Sequence, residues 1–419
     1  MRISVLIPTR DRLELLRHAV ASVRRIADED WELVISDNCS SGDVAGYVAS
    51  LGDGRIRHVR TPGVISVTDN WNNALEHSTG EYVVMLGDDD ALLSDYFART
   101  RRLIADFDHP QVVYHNALSY AYPAVIPAEP DGFLRGEGYA GFLRRGAEHP
   151  FRLPLREARR LARAAANFRL GYGFNMQFVT VARETVEALS GDGSFFRSPF
   201  PDYYAMNHLF ARADTIVVEP KPLVVIGVSP RSYGFFYNNN REAEGRAFLE
   251  GGDRPEPAQP GRSALLPGTN INNGWLRAVE ELHRDLGEPA ELEPNYRRYR
   301  MLQIVHSYNG RYVRGNVPAS QLSELQRHMS TAERLLYGTL FSALGGVKRL
   351  LPEPAKPQVE RLATLISRQF PWWVPQRDPG RYEDIVEVVE RVDGERGPRS
   401  WGAQQGSRLG NELLGRIFP

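Results

Sequence analysis

Short aliphatic runs alternate with amphipathic stretches through the first quarter of the chain. Residues 3–7 read as a strand, 13–25 as a helix, 32–36 as a strand, 43–51 as a helix and 56–60 as a strand; 66–77 then reads as helix and 82–86 as strand. A helix after Ser94 leads to a strand at 112–115, and two more strands are expected at 176–182 and 215–219. Such alternation is the signature of βαβ units, which lay strands side by side in a mainly parallel sheet. Past residue 268 the period changes: 296–313, 320–350 and 357–370 read as helical, followed by a polar tail. Pro- and Gly-rich stretches cover 123–154 and 251–268. The organisation expected is an α/β domain over 1–250, a linker or loop over 251–268, and a mostly helical extension over 269–419.

In open α/β sheets the ligand crevice lies beyond the carboxyl ends of the strands. Here those positions hold Thr9, Arg10 and Asp11 after the first strand, Asp37 and Asn38 after the second, and Asp88, Asp89 and Asp90 after the strand ending at Leu86. Turns favour Asp and Asn by themselves. Three successive carboxylates, however, repel one another unless something cationic sits among them. The grouping suits a hydrated cation and a polar nucleotide together. A glycine triplet, Gly136, Gly138 and Gly141, has dinucleotide-loop spacing but lacks the expected strand before it and acid after it, so it reads as accidental.

Composition narrows the classes. With 419 residues the chain exceeds one core of roughly 100–200 residues, so two or more domains are expected. Fifty-one basic against 52 acidic residues give a formal charge of −1, which argues against a global attraction to nucleic acid. One cysteine, Cys39, permits no internal disulfide and suits a reducing compartment. The N-terminus lacks the pattern of a signal peptide, and no run of about 18 apolar residues occurs. The location expected is the cytoplasm, or the inner face of the membrane as a peripheral protein.

Four stretches, ISVLIPTRDR, ELVISDNCS, NWNNALEHSTGEYVVMLGDDDALL and SPFPDYY, resemble in order and spacing the family 2 glycosyltransferases, an inverting group with the GT-A fold. The resemblance covers about the first 200 residues. It implies transfer of a sugar from a nucleoside-diphosphate sugar, with a UDP-sugar the default, to a hydroxyl acceptor such as a glycan, a lipid-linked intermediate or a natural product. It also implies that Pro8, Thr9 and Asp11 shape the nucleotide pocket, that Asp37 or Asn38 reads the base edge, and that Asn70 lies near the nucleotide. Aligned on Gly87, the resemblance sets Asp88 near ribose and Asp89 on Mn2+ or Mg2+, with Asp90 second; strand alternation alone would pair Asp88 with Asp90. A divalent cation bridging the diphosphate stabilises the charge that grows as the anomeric bond breaks.

The attacking hydroxyl needs a general base, and the resemblance puts it at Asp202, with Asp192 and Asp214 as fallbacks. An Asp after Pro at a helix start is also a favourable first-turn residue, and the two roles can coexist. Arg231, in IGVSPRSYGFFYNNNR, is expected to close over the diphosphate, or else to be a surface arginine. The run NFRLGYGF, residues 167–174, either lines the sugar or is an ordinary loop. His77, His115 and His208 lack metal-ligand spacing and read as structural. Phe370, Trp372 and Trp373 sit among arginines, as at a membrane interface or acceptor site, or as a buried cluster anchoring the tail. Other functions remain in view: a catalytically silent sugar-nucleotide-binding or scaffold protein, and a nucleotidyltransferase, which PTRDRLELL disfavours because it lacks a Gly-rich triphosphate loop.

Overall fold

The computed structural model describes residues 1–394 apart from 127–128, 137–142, 144–146, 192, 198, 240, 251–264, 368–377 and 379. The glycines 138 and 141, Asp192, the stretch 251–264 and the aromatics 370, 372 and 373 lie outside the described residues. The chain divides into two compact units. The first comprises Met1–Ala162, Gly171–Arg254 and Trp373–Pro419, the second Arg163–Leu170 and Pro255–Trp372.

The first unit is built on a ten-stranded sheet. Strands β1 (Ile3–Thr9), β2 (Trp31–Asp37), β3 (Ile56–Arg60) and β4 (Tyr82–Met85) run parallel in the order β3-β2-β1-β4. In β2 every residue is buried, and in β1 all but Pro8. Helices α1 (Leu13–Arg24), α2 (Val44–Ser50) and α3 (Val67–Glu76) make the crossovers, as the alternating pattern predicts. After the two-residue β5 (Ala91–Leu92), helix α4 (Tyr96–Asp106) leads into β6 (Val112–Ala121), a fully buried strand of ten residues.

The sheet then becomes mixed. Helix α5 (Leu155–Ala166) precedes β9 (Val179–Ala182), which inserts antiparallel between β4 and β6. The expected strand at 176–182 is thus half 3₁₀ turn, because Met176–Phe178 coils before β9 begins. The last strand, β10 (Ile216–Val228), runs parallel to β6 through a bulge at its two prolines, Pro220 and Pro222, well beyond the expected 215–219. The short strands β7 (Phe133–Gly136), in a hairpin with β6, and β8 (Phe151–Arg152), against β10 far along the chain, pair antiparallel with their partners. A strand therefore does precede the glycine triplet, but as part of a hairpin rather than a βαβ unit. The remaining helices are α6 (Arg183–Ser190), α7 (Pro201–Arg212), α8 (Tyr233–Asn238) and α9 (Glu242–Glu250).

The second unit is helical. Helices α10 (Asn270–Asp285), α11 (Tyr296–Asn309), α12 (Ala319–Gln326), α13 (Thr331–Leu350) and α14 (Lys356–Ser367) follow one another, and Ile304, Tyr308, Leu325, Phe341 and Ala363 form a core. The single helix expected over 320–350 is two. Ser330 and Glu333 form a reciprocal capping box that starts α13 afresh.

The tail after residue 370, read as polar, contains α15 (Ile385–Gly394). Its Ile385, Val388, Val389 and Val392 recur at helical spacing and pack on Leu93, Leu118, Leu134 and Val225 of the first unit's sheet. Tyr382 accepts a hydrogen bond at its backbone carbonyl from the Tyr120 hydroxyl, 2.9 Å away.

Candidate active site

The ends of β1, β2, β4 and β10 converge on one edge of the sheet. Parallel pairing sets Thr9 beside Asp37, and the chain leaving β4 brings Asp88, Asp89 and Asp90 beside Thr9. All three aspartates are buried. Asp88 Oδ2 accepts a hydrogen bond from Thr9 Oγ1 at 2.6 Å, whereas Asp88 Oδ1 has no hydrogen-bond partner. Asp89 Oδ2 accepts from Ser229 Oγ at 2.7 Å. Asp90 is engaged at both oxygens: Oδ2 accepts from the Gly87 amide and Oδ1 from the Gly227 amide, each at 2.8 Å.

These bonds divide the triplet. Asp90 ties the turn after β4 to β10, Asp89 looks toward Ser229, and Asp88 keeps an unpaired oxygen in a buried place. Gly227 is required by the same closeness, since a Cβ there would lie 1.9 Å from the Asp89 carbonyl oxygen. Burial, reinforced by the Asp89 charge, pushes the Asp90 carboxyl well above the ordinary carboxylate range. Burial also raises Asp88, with the neighbouring Arg12 acting in the opposite direction.

Arg12 is a site residue that the sequence reading passed over. Its Nε lies 3.1 Å from Asp88 Oδ2 and its Nη1 3.8 Å from Asp89 Oδ2. Burial opposes its charge, but the three carboxylates more than offset that and raise its pKa. The available signal was a second arginine, four residues past Pro8, facing a carboxylate triplet that needs a cation. Among the described residues no three His, Cys, Asp or Glu side chains converge as a cage able to hold a metal alone.

The β2 end is held by an internal network. Asp37 Oδ1 accepts from the Ser40 amide at 2.9 Å, while Oδ2 accepts from Arg60 Nη1 at 2.7 Å and faces His58 Nε2 at 3.3 Å. Burial would raise the Asp37 pKa, but these bonds hold it below the usual range. Asn38 clasps the backbone of Ile65, donating from Nδ2 to its carbonyl at 2.8 Å and accepting at Oδ1 from its amide at 2.9 Å. Asn70 is similarly engaged with Ser36, accepting from its hydroxyl at 2.6 Å and donating to its carbonyl at 3.2 Å. Arg60 was not singled out in the sequence, and only the β2–β3 register brings it to Asp37.

Asp11 adopts a positive φ of 54° and accepts from the Ser41 amide and hydroxyl at 2.7 and 2.8 Å. Those bonds, the amide first, lower its pKa. The exposed Arg231 donates from Nη1 to the Asp11 carbonyl, joining the segment after β10 to the end of β1. Pro8, in β1, is paired with Ser36.

Asp202 occupies the first turn of α7, after the helix-starting Pro201. Its Oδ1 accepts from the Tyr203 amide at 2.8 Å. Although half-buried by surface area, it stands among Phe200, Tyr203 and Tyr233, and desolvation pushes its pKa up to about 7. Asp214 is an exposed turn residue 3.5 Å from Arg159. In residues 167–174, Tyr172 stacks on Phe210 with ring centroids 4.3 Å apart and donates to Asn207 at 2.8 Å, which is core packing. His115 is fully buried, with desolvation lowering its pKa to about 4.

Residues 4–149, which hold the strand-end crevice and its buried acidic triplet, match the family model described as Glycosyl transferase family 2. This region belongs to that family. The glycosyl transferase domain is 36% identical over 96 residues to the GalNAc(5)-diNAcBac-PP-undecaprenol beta-1,3-glucosyltransferase of Campylobacter jejuni, a match covering 22% of this chain and 31% of the relative. It is 31% identical over 120 residues to a PGL/p-HBAD biosynthesis glycosyltransferase of Mycobacterium bovis, covering 27% of this chain and 46% of the relative. The chain thus matches about a third to a half of the length of these relatives. Among solved structures, the mannosyltransferase PcManGT from Pyrobaculum calidifontis in complex with GDP-Man and Mn2+ superposes with a TM-score of 0.45 at 15% identity, covering 88% of this chain and 85% of that one.

Proposed function

We propose that the chain transfers a sugar, with inversion, from a nucleoside-diphosphate sugar to an acceptor hydroxyl, and that the transfer depends on Mn2+ or Mg2+. The observation that carries this reading is the buried Asp88–Asp90 triplet at the sheet edge, with an unpaired Asp88 oxygen beside Thr9 and Arg12. Unpaired carboxylate oxygens suit a hard divalent cation or a ribose hydroxyl. Asp89, with Asp90 behind it, would hold the cation, and Asp88 the ribose. When bound, the cation neutralises charge growing on the departing diphosphate.

The rest of the work falls to side chains. Thr9 orients Asp88, and Ser229 orients Asp89. Asp90 fixes the turn through Gly87 and Gly227, so that the first two carboxylates keep their aim. Arg12 supplies a fixed positive charge beside them. Pro8, Asp11 and Asn70 shape the nucleotide crevice, Asp37 and Asn38 flank the base, and Arg231 closes over the diphosphate. Asp202 takes the proton of the acceptor hydroxyl, a task suited by a pKa raised toward neutrality.

For the acceptor we favour a lipid-linked or glycolipid intermediate, because the names of two curated relatives specify an undecaprenol-linked substrate and PGL biosynthesis. The setting would be cytoplasmic or at the inner membrane face. No helix among the described residues is long and apolar enough to cross a membrane.

Titration calorimetry of UDP-, GDP- and dTDP-sugars with and without Mn2+ tests the donor reading. Binding of one donor that strengthens with metal supports it, whereas no binding of any donor points to a scaffold. NMR of the first product from an α-linked donor should show a β linkage; retention would overturn inversion.

A further inference from the structure

Arg12 is paired differently from arginines that hold the fold together. Arg300 forks onto Glu333, with Nε 2.9 Å from Oε1 and Nη2 2.7 Å from Oε2, and Arg55 forks onto Asp53 at 3.0 and 2.8 Å. Such two-pronged bonding is the strong, geometrically fixed form of the pair. Arg12 makes no fork. Its Nε lies 3.1 Å from Asp88 Oδ2 and its Nη1 3.8 Å from Asp89 Oδ2, yet the buried Nε has no hydrogen-bond partner. Both oxygens it faces already accept from hydroxyls, Thr9 Oγ1 at 2.6 Å and Ser229 Oγ at 2.7 Å. Charge, and not directed bonding, ties this arginine to the triplet.

The chain nevertheless keeps that charge where it is. Arg12 occupies the residue before α1, and its carbonyl accepts from the Leu16 amide at 2.9 Å. The Phe248 ring of α9 covers the guanidinium, with the ring centroid 5.5 Å away. Between that ring and the carboxylates the side chain is only 12% exposed. One positive charge thus stands against three buried carboxylates, and Asp88 Oδ1 is left without a partner.

Like charges repel strongly in a buried place of low dielectric constant. A bare divalent cation drawn to Asp89 or to the free Asp88 oxygen meets the guanidinium across the same two carboxylates. A diphosphate reverses the balance, because its anionic oxygens offset both positive charges, and guanidinium and hard cations alike favour phosphate oxygens. We propose that Arg12 is a positioning residue that disfavours the bare cation at the triplet and admits it together with the nucleoside diphosphate. The inference rests on the metal-assisted donor binding proposed above and adds the residue that couples metal to donor.

Calorimetric titration of the full chain with Mn2+, alone and in the presence of UDP or GDP, tests it. The wild type should bind Mn2+ at least about tenfold more tightly with nucleotide than without. Arg12→Met, neutral and of similar length, should tighten Mn2+ alone by about tenfold or more and weaken the nucleotide, so that the coupling shrinks. Arg12→Lys keeps the charge and should return the affinity for Mn2+ alone toward that of the wild type. An arginine with a purely structural role would alter the unfolding temperature without tightening Mn2+. If Arg12→Met does not fold, Arg12→Gln, which keeps an amide donor toward Asp88, should show the same two changes. Unchanged or weaker binding of Mn2+ alone in a folded neutral variant, or equal wild-type affinity with and without nucleotide, would overturn the proposal and leave the transferase reading in place. No Mn2+ binding by wild type or variant under any of these conditions would overturn both the proposal and the metal dependence on which it rests.

Discussion

Two buried carboxylates on the same sheet, Glu32 at the start of β2 and Asp88 just past β4, have opposite fates. Glu32 Oε1 accepts from Ser4 Oγ at 2.6 Å, from the Gly80 amide at 3.0 Å and from the Thr79 amide, and Oε2 accepts from Thr79 Oγ1 at 3.1 Å. Burial would raise its pKa, but these donors reverse the effect and lower it. Asp88 has one hydroxyl donor and the Arg12 guanidinium at one oxygen and nothing at the other, and burial raises its pKa in spite of Arg12. A protein that satisfies a buried charge with its own donors is building structure; one that leaves an oxygen unpaired keeps a place for something else.

The comparison can be broken most forcefully at the triplet. Asp89→Asn should reduce turnover and metal-assisted donor binding by more than about 10²-fold while the chain stays folded. Full activity of that variant, or of the wild type in excess chelator, would remove the metal from the reading. Asp90→Asn should also lower the unfolding temperature, because one of its two amide contacts then meets an NH2 group.

Asp202 extends the contrast to proton transfer. Asp202→Asn should lower kcat by about 10²-fold with donor affinity nearly unchanged. Asn serves a helix start about as well as Asp, so stability should hold. The active form is the carboxylate, so kcat/KM should rise with pH through about 7 and level off above it. Near-normal turnover of the variant, or a flat profile across neutral pH, would take the base role from Asp202.

The smallest effects separate the two carboxylates themselves. Glu32→Gln should cost about 1–3 kcal/mol in a denaturant titration and leave donor affinity unchanged. Asp88→Asn should weaken the donor, and it also costs stability because it leaves the buried Arg12 charge without its partner at 3.1 Å. Because the Glu32 pKa is lowered in the folded state, its stabilisation is present above the ordinary Glu value and lost as pH falls through the folded value. The gap between wild type and Glu32→Gln should therefore narrow in acid. Unchanged donor affinity in Asp88→Asn, or weakened donor affinity in folded Glu32→Gln, would erase the distinction.

The sequence by itself determined the βαβ half of the sheet, because strands buried on both faces and amphipathic crossovers write their period into consecutive residues. It also placed the acidic triplet and Asp202 at strand and helix ends, since those positions follow directly from where each apolar run stops. Tertiary structure alone decided which atoms are occupied. Asp90 carries the same carboxyl as Asp88 and Asp89, yet pairing across β10 engages both its oxygens, and the Asn38 amide is engaged by the Ile65 backbone. Arg12 and Arg60 gained roles only when strand register set them beside Asp88 and Asp37. The antiparallel insertion of β9 and the return of α15 to the first unit's sheet were likewise decided by contacts far apart in the chain. Period is a local property and partnership is not, because a hydrogen bond or an ion pair depends on distances that only the folded chain defines.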